Sequence, residues 1–243
     1  MKLFFTYAVN TLLMMLIFSG IVSGQNPIEV LSHCKENFEK YAYIQWSMQV
    51  ANYYNASDKL PVDTSTYYYK YSKNGLSVKS RIIEVLKTKK FSLTVNHLLR
   101  RMDYFDMRSP KQSLDFDYVY KLQHYDISKD TIHSDKGLQR FASGIVDTCD
   151  EKTIEVFLFP KRQNITRIEY SIDRETSSIR KMLLYFNALQ KDNYGEKVLY
   201  SFRDYRFSDK VPSKAFSVDQ YLKWQSGKWQ PRPKYKSYQL TIH

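Results

Sequence analysis

The residues able to do chemistry are scattered along this chain. The five histidines are His33, His97, His124, His133 and His243, and no two stand at a metal-ligand spacing. There is no His-x-x-x-His and no Cys-x-x-Cys. Each histidine reads as an ordinary surface or core residue. No Gly-x-Ser-x-Gly elbow offers a serine nucleophile. Seven glycines in all leave little room for a phosphate-cradling loop. Cys34 falls on the apolar stripe of a helix, which argues against a reactive thiolate. Asp103 with Asp106, and Asp115 with Asp117, are the carboxylate pairs on offer for glycoside chemistry. Such pairs arise by chance in any charged strand or loop. Tyr53-Tyr54 and Tyr67-Tyr68-Tyr69 could stack on sugars or bases, but positions in a strand core or rim explain them better. The expectation is no enzyme, no cofactor and no metal.

What the chain offers instead is a bulky apolar face, and strands must present it. The stretch 152–208 reads as four strands: 153–159, Ile165–Asp173, 178–188 and 196–207. The second is the cleanest. Thr166, Ile168, Tyr170 and Ile172 alternate with Arg167, Glu169 and Ser171, the signal of a strand with one buried side. In the third, Arg180, Met182, Leu184 and Phe186 lie opposite Ile179, Lys181, Leu183 and Tyr185. Upstream, Ile44, Trp46, Met48 and Val50 form the apolar side of a strand over 44–54. The predicted ligand-binding set is Trp46, Met48, Phe157, Met182, Leu184, Phe186 and Phe202 on the concave face of one curved sheet. The bland reading has equal weight: these side chains pack under a helix and enclose nothing.

Other elements frame that sheet. Asn26-Pro27 opens an amphipathic helix to about Tyr41, with Ile28, Leu31, Cys34, Phe38 and Tyr41 on one stripe. Strands are predicted over 64–72, 76–86, 91–96 and 97–107, with a turn at Lys73-Asn74-Gly75. The segment 109–135 suits a lid-like insertion, 139–146 a strand, 224–233 a Trp-, Gly- and Pro-rich tail, and 238–242 an edge strand. With 21 Tyr and 14 Phe the composition is β-rich. Residues 1–24 read as a Sec-type signal peptide cleaved near Gly24, leaving one domain over 25–243. The net charge of +12 is spread out, which suits anionic lipid, glycan or protein partners in an envelope better than nucleic acid. Cys34 and Cys149 are either a disulfide or two buried thiols.

A signal peptide, one helix, an apolar first strand and a long antiparallel run follow one another here. The run includes Ile165-Thr-Arg-Ile-Glu-Tyr-Ser-Ile-Asp173, Ile179-Arg-Lys-Met-Leu-Leu-Tyr185 and Val198-Leu-Tyr-Ser-Phe-Arg-Asp-Tyr-Arg-Phe207, then Val211-Pro212 and Phe216-Ser217-Val218. This pattern resembles the outer-membrane lipoprotein carrier (LolA-like) family, in the divergent form found in Bacteroidetes. The resemblance implies a mainly β (α+β) fold: a curved antiparallel sheet forming an unclosed β-barrel, wrapped around an N-terminal helix and a helical lid. It implies a periplasmic, monomeric, non-enzymatic carrier or binder of lipoprotein acyl chains or another lipidic ligand. The alternative is a cell-envelope protein–protein interaction module with a self-filled core.

Overall fold

A computed structural model of the chain describes residues 27–107, 141–147, 152–160, 165–187 and 195–243. The expected signal peptide, the middle segment with its helical lid, and Cys149 lie outside the described residues. One helix, α1, spans Pro27–Glu39, with Pro at its first position and Glu29 in its first turn. Strands β1 (Tyr43–Tyr53), β2 (Asp63–Ser72), β3 (Gly75–Ser80), β4 (Ile83–Thr88), β5 (Phe91–Asn96) and β6 (Arg101–Asp106) make a first meander. Strands β7 (Phe141–Asp147), β8 (Thr153–Pro160), β9 (Ile165–Asp173), β10 (Ser178–Phe186) and β11 (Lys197–Ser208) make a second. After β11 come the short hairpin β12 (Leu222–Gln225) and β13 (Lys228–Pro231), then β14 (Gln239–Ile242).

All strands but β12 and β13 join one sheet, in the order β14-β6-β5-β4-β3-β2-β1-β11-β10-β9-β8-β7. The two meanders meet where β1 runs antiparallel to β11, from Tyr43 opposite Ser208 to Tyr53 opposite Lys197. The sheet is curved, predominantly antiparallel and not closed into a barrel. The exception to antiparallel pairing is β14, which lies parallel to β6 with Leu240 beside Met102 and Ile242 beside Tyr104.

Two expectations are corrected. The strand predicted over 76–86 is two strands, β3 and β4, joined by a tight turn at Arg81-Ile82. No glycine marks that turn. The Ser80 hydroxyl does the work, accepting from the amides of Ile82 and Ile83 and donating to the Ile83 carbonyl. Thr88 repeats the device between β4 and β5. The strand predicted over 97–107 begins only at Arg101, after a turn. Lastly, the Trp-, Gly- and Pro-rich tail over 224–233 contains a strand hairpin. Trp224 pairs with Trp229 in the β12–β13 hairpin, turned by Ser226 and Gly227 at φ of 53° and 75°, the pair of positive values a type I′ turn requires.

The sheet buries side chains on both faces. On one face α1 lays Leu31, Cys34 and Phe38 against β1, β2 and β8–β11. On the opposite face of β4–β6, the C-terminal segment covers Leu86, Leu93, Val95, Met102 and Tyr104 with Tyr221, Leu222 and Tyr235.

Candidate functional site

The apolar face is assembled by register. Val50, Tyr200, Met182, Tyr170 and Val156 lie in one row across β1, β11, β10, β9 and β8. Val198, Leu184, Ile168 and Leu158 form the next. Met48 pairs with Phe202, and Trp46 pairs with Tyr69, their rings stacked at 4.9 Å. From the helix, Phe38 meets Trp46 edge-on at 5.6 Å. A polar tie fixes the helix to the sheet's hairpin: Asn37 Nδ2 donates to the Thr176 carbonyl at 2.6 Å.

Of the seven residues predicted to bind ligand, the structure gathers Trp46, Met48, Met182, Leu184 and Phe202 in this core, with Phe186 packed against it. Their exposures are 5%, 4%, 3%, 5% and 6% for the first five, so these side chains are buried. Phe157 is the misfit. Its neighbours Val156 and Leu158 are the buried pair of β8, so strand alternation turns Phe157 to the other face, opposite Glu169. That other face is polar. The Arg167 guanidinium lies 4.1 Å from the Tyr185 ring centre, and the Tyr185 hydroxyl donates to Glu169 at 3.2 Å.

Two bulges reset the alternation that the sequence suggests. Between Ile179 and Lys181 the register slips, so Ile179 joins the apolar core while Arg180 stays exposed and pairs with Asp173 at 2.6 Å. In β11, two residues, Asp204 and Tyr205, stand opposite Trp46 alone. Asp204 sits at φ 56° and accepts a bond from Ser47 Oγ at 2.6 Å. Tyr205 thereby turns inward, stacked on Phe207 at 5.7 Å.

Cys34 is a buried free thiol, and burial pushes it up to about 12, so it stays protonated at neutral pH. Of the candidate carboxylates, Asp103 is held by Arg101 at 2.7 Å and by His243 at 3.3 Å; Asp115 and Asp117 lie outside the described residues. Among the described residues no cluster of three or more His, Cys, Asp or Glu could hold a metal ion.

Sequence reasoning missed a polar group on the opposite face. Glu84 is 6% exposed, and four side chains converge on it. Lys79 Nζ (2.9 Å) and the Tyr221 hydroxyl (2.8 Å) reach Oε2, while His97 Nε2 (3.1 Å) and the Tyr235 hydroxyl (3.4 Å) reach Oε1. Tyr238 completes the chain of bonds through His97 Nδ1 at 2.9 Å. The one available signal was a carboxylate inside an apolar strand run, Ile82-Ile83-Glu84-Val85-Leu86.

Fold and face define a class: an open, curved sheet with, among the described residues, one α-helix laid on its apolar side. No protein-family model matches the sequence, and no curated protein matches it. Solved structures similar to it include an uncharacterized conserved protein from Thermus thermophilus, at 8% identity, covering 88% of this chain and 98% of that one, with a TM-score of 0.46. A chain of the Pseudomonas aeruginosa MucA/MucB complex is 11% identical over 80% of this chain and 61% of its own, with a TM-score of 0.46. A LolA superfamily protein from Nitrosomonas europaea is 12% identical over 81% of this chain and 100% of its own, with a TM-score of 0.33.

Proposed function

We propose that this protein is a non-enzymatic carrier or binder of lipoprotein acyl chains, or of another lipidic ligand, in the periplasm. It works as one domain over 25–243 after loss of 1–24, and takes its ligand onto the apolar face beneath α1. The observation that carries this reading is the continuous apolar field of Met48, Met182, Leu184, Tyr200 and Phe202, roofed by one short helix.

Energetics favour exchange between helix and ligand. A helix of 13 residues is marginal by itself and depends on its docked stripe. Burying Leu31, Cys34 and Phe38 contributes roughly 5–8 kcal/mol. An acyl chain gains roughly 0.8 kcal/mol per buried methylene, on the order of 10 kcal/mol for a long one. A ligand can therefore replace the helix on the sheet, and its release re-docks the helix. Closed and ligand-loaded states are then two populations of one molecule.

The test is native mass spectrometry of the protein from its own periplasm, with lipid extraction of the same sample, and titration of the purified chain with a fluorescent fatty-acyl probe. A bound acylated species or saturable probe uptake is expected. A clean apo mass together with no probe uptake overturns the carrier reading. The second reading, an envelope interaction module with a self-filled core, is favoured by the near-complete burial of the same side chains, and it would then stand.

A further inference from the structure

Between the β12–β13 hairpin and β14 lies a cleft of about 630 Å³. Its apolar wall is Trp229, Leu240 and Ile242, and Lys223, Lys228 and Lys236 also line it. Ile242 is 52% exposed, and the neighbouring Trp224 is 62% exposed. None of the three lysines has an acidic partner among the described residues. Apolar side chains are thus left in water beside uncompensated positive charge.

The backbone adds a third property. Among the described residues β14 ends the sheet. The amides of Gln239 and His243 point toward β6, donating to the carbonyls of Arg100 and Tyr104 at 2.9 Å each. Successive peptide groups of a strand point to opposite edges. Leu240 and Ile242 therefore turn their N–H and C=O groups to the outer edge, where no strand among the described residues pairs with them. The same two residues supply side chains to the cleft.

We infer that this cleft docks an extended acidic segment of another envelope protein, which adds as a strand to the free edge of β14. The main-chain groups of Leu240 and Ile242 would hold the added strand. Its apolar side chains would cover Ile242 and Trp229, and its carboxylates would face Lys223, Lys228 and Lys236. Charge complementarity selects an acidic partner, and the open hydrogen-bonding edge selects a peptide over a lipid headgroup. The site stands whether or not the apolar face takes an acyl ligand.

The test uses the full chain and a fluorescent Glu-Thr-Val-Thr repeat peptide, whose Glu and Val fall on one face of an added strand, with the Lys-for-Glu peptide as control. Anisotropy is expected to show saturable binding of the acidic peptide only, weakened by salt. The triple change Lys223→Glu, Lys228→Glu, Lys236→Glu touches no buried side chain and is expected to weaken binding about tenfold or more. Ile242→Pro removes one outward amide while sparing the bonds to β6, and is expected to do the same. Amide exchange should slow at Leu240 and Ile242 but not at Thr241 when peptide binds. Should Ile242→Pro fail to fold, the lysine variant and the exchange pattern decide. No binding at low salt, binding untouched by the lysine changes, or exchange protection elsewhere overturns the proposal. So does charge-dependent capture of phosphatidylglycerol vesicles without peptide binding, which would make the cleft a headgroup site.

Discussion

The hydroxyl of Tyr221 donates to Glu84 Oε2 at 2.8 Å, and this bond pins the segment after β11 to a strand laid down 137 residues earlier. Burial alone would raise the Glu84 carboxyl; the bonds from Lys79 and Tyr221 outweigh it and hold the group below its ordinary value. A carboxylate lowered in the folded state contributes stability that is present above its unfolded value and lost as pH falls through the folded one. Glu84→Ala leaves two buried hydroxyls without an acceptor and should cost roughly 3 kcal/mol at neutral pH. Chemical denaturation as a function of pH checks this, and the gap between wild type and variant should close in acid.

Asp173 offers a second, local acid-sensitive point. It accepts from the Thr176 amide at 2.8 Å, the Thr176 hydroxyl at 2.7 Å and Arg180 at 2.6 Å, fixing the β9–β10 turn. Against the upward push of partial burial, these bonds hold it at about 2. Its contribution should be complete above about pH 4 and fade as pH falls toward about 2. Asp173→Asn should lower the Tm at neutral pH and make little difference in strong acid.

Gly75 is needed for space. A Cβ built there would stand 2.7 Å from the Phe216 ring. Gly75→Val should therefore destabilise by driving Phe216 off the sheet. Adding Phe216→Ala should recover part of the loss, so that the two changes combine to less than their sum in a double-mutant cycle.

The two faces of the sheet make the carrier reading separable by mutation. Leu184→Ser changes a buried side chain of the apolar face, while Phe157→Ser changes the opposite one. Acyl-probe affinity should fall steeply for the first and stay near wild type for the second, with circular dichroism confirming that both fold. Equal effects would place uptake elsewhere.

Helix displacement can be blocked directly. Asn37 and Thr176 are in hydrogen-bond contact across the helix–sheet boundary. Replacing both by Cys in a chain lacking Cys34 and Cys149, then bridging them with a short thiol crosslinker, should abolish probe uptake. Cleaving the crosslink should restore it. Uptake that ignores the crosslink would show that α1 stays in place during loading.

Much of the architecture was legible from alternation alone. The bounds of β9 are those read from the sequence, and β1, β2, β8 and β11 fall within a residue of them. That Trp46, Met48, Met182, Leu184 and Phe202 share one buried face followed from the same period. What alternation could not give were local exceptions and distant partners. Ser80 makes a turn with its hydroxyl where no glycine announces one. The bulge at Arg180 shifts parity within one strand. Phe157 was given the wrong parity because Val156-Phe157-Leu158-Phe159 is an unbroken apolar run in which the sequence shows no alternation. Glu84 and Tyr221 meet only in space, so no window of sequence contains their contact.

The parallel seat of β14 against β6 governs the order in which this molecule can be completed. A chain emerging N-terminus first makes β3–β6 early, with Leu86, Leu93, Val95 and Met102 facing outward. Their cover arrives only with Tyr221, Leu222, Tyr235 and β14, at the far end of the chain. Until then the half-made sheet shows a sticky surface and an unclosed edge to its surroundings. Synthesis therefore leaves an interval in which this apolar face is uncovered, and its length is set by how fast the residues beyond Ser208 follow.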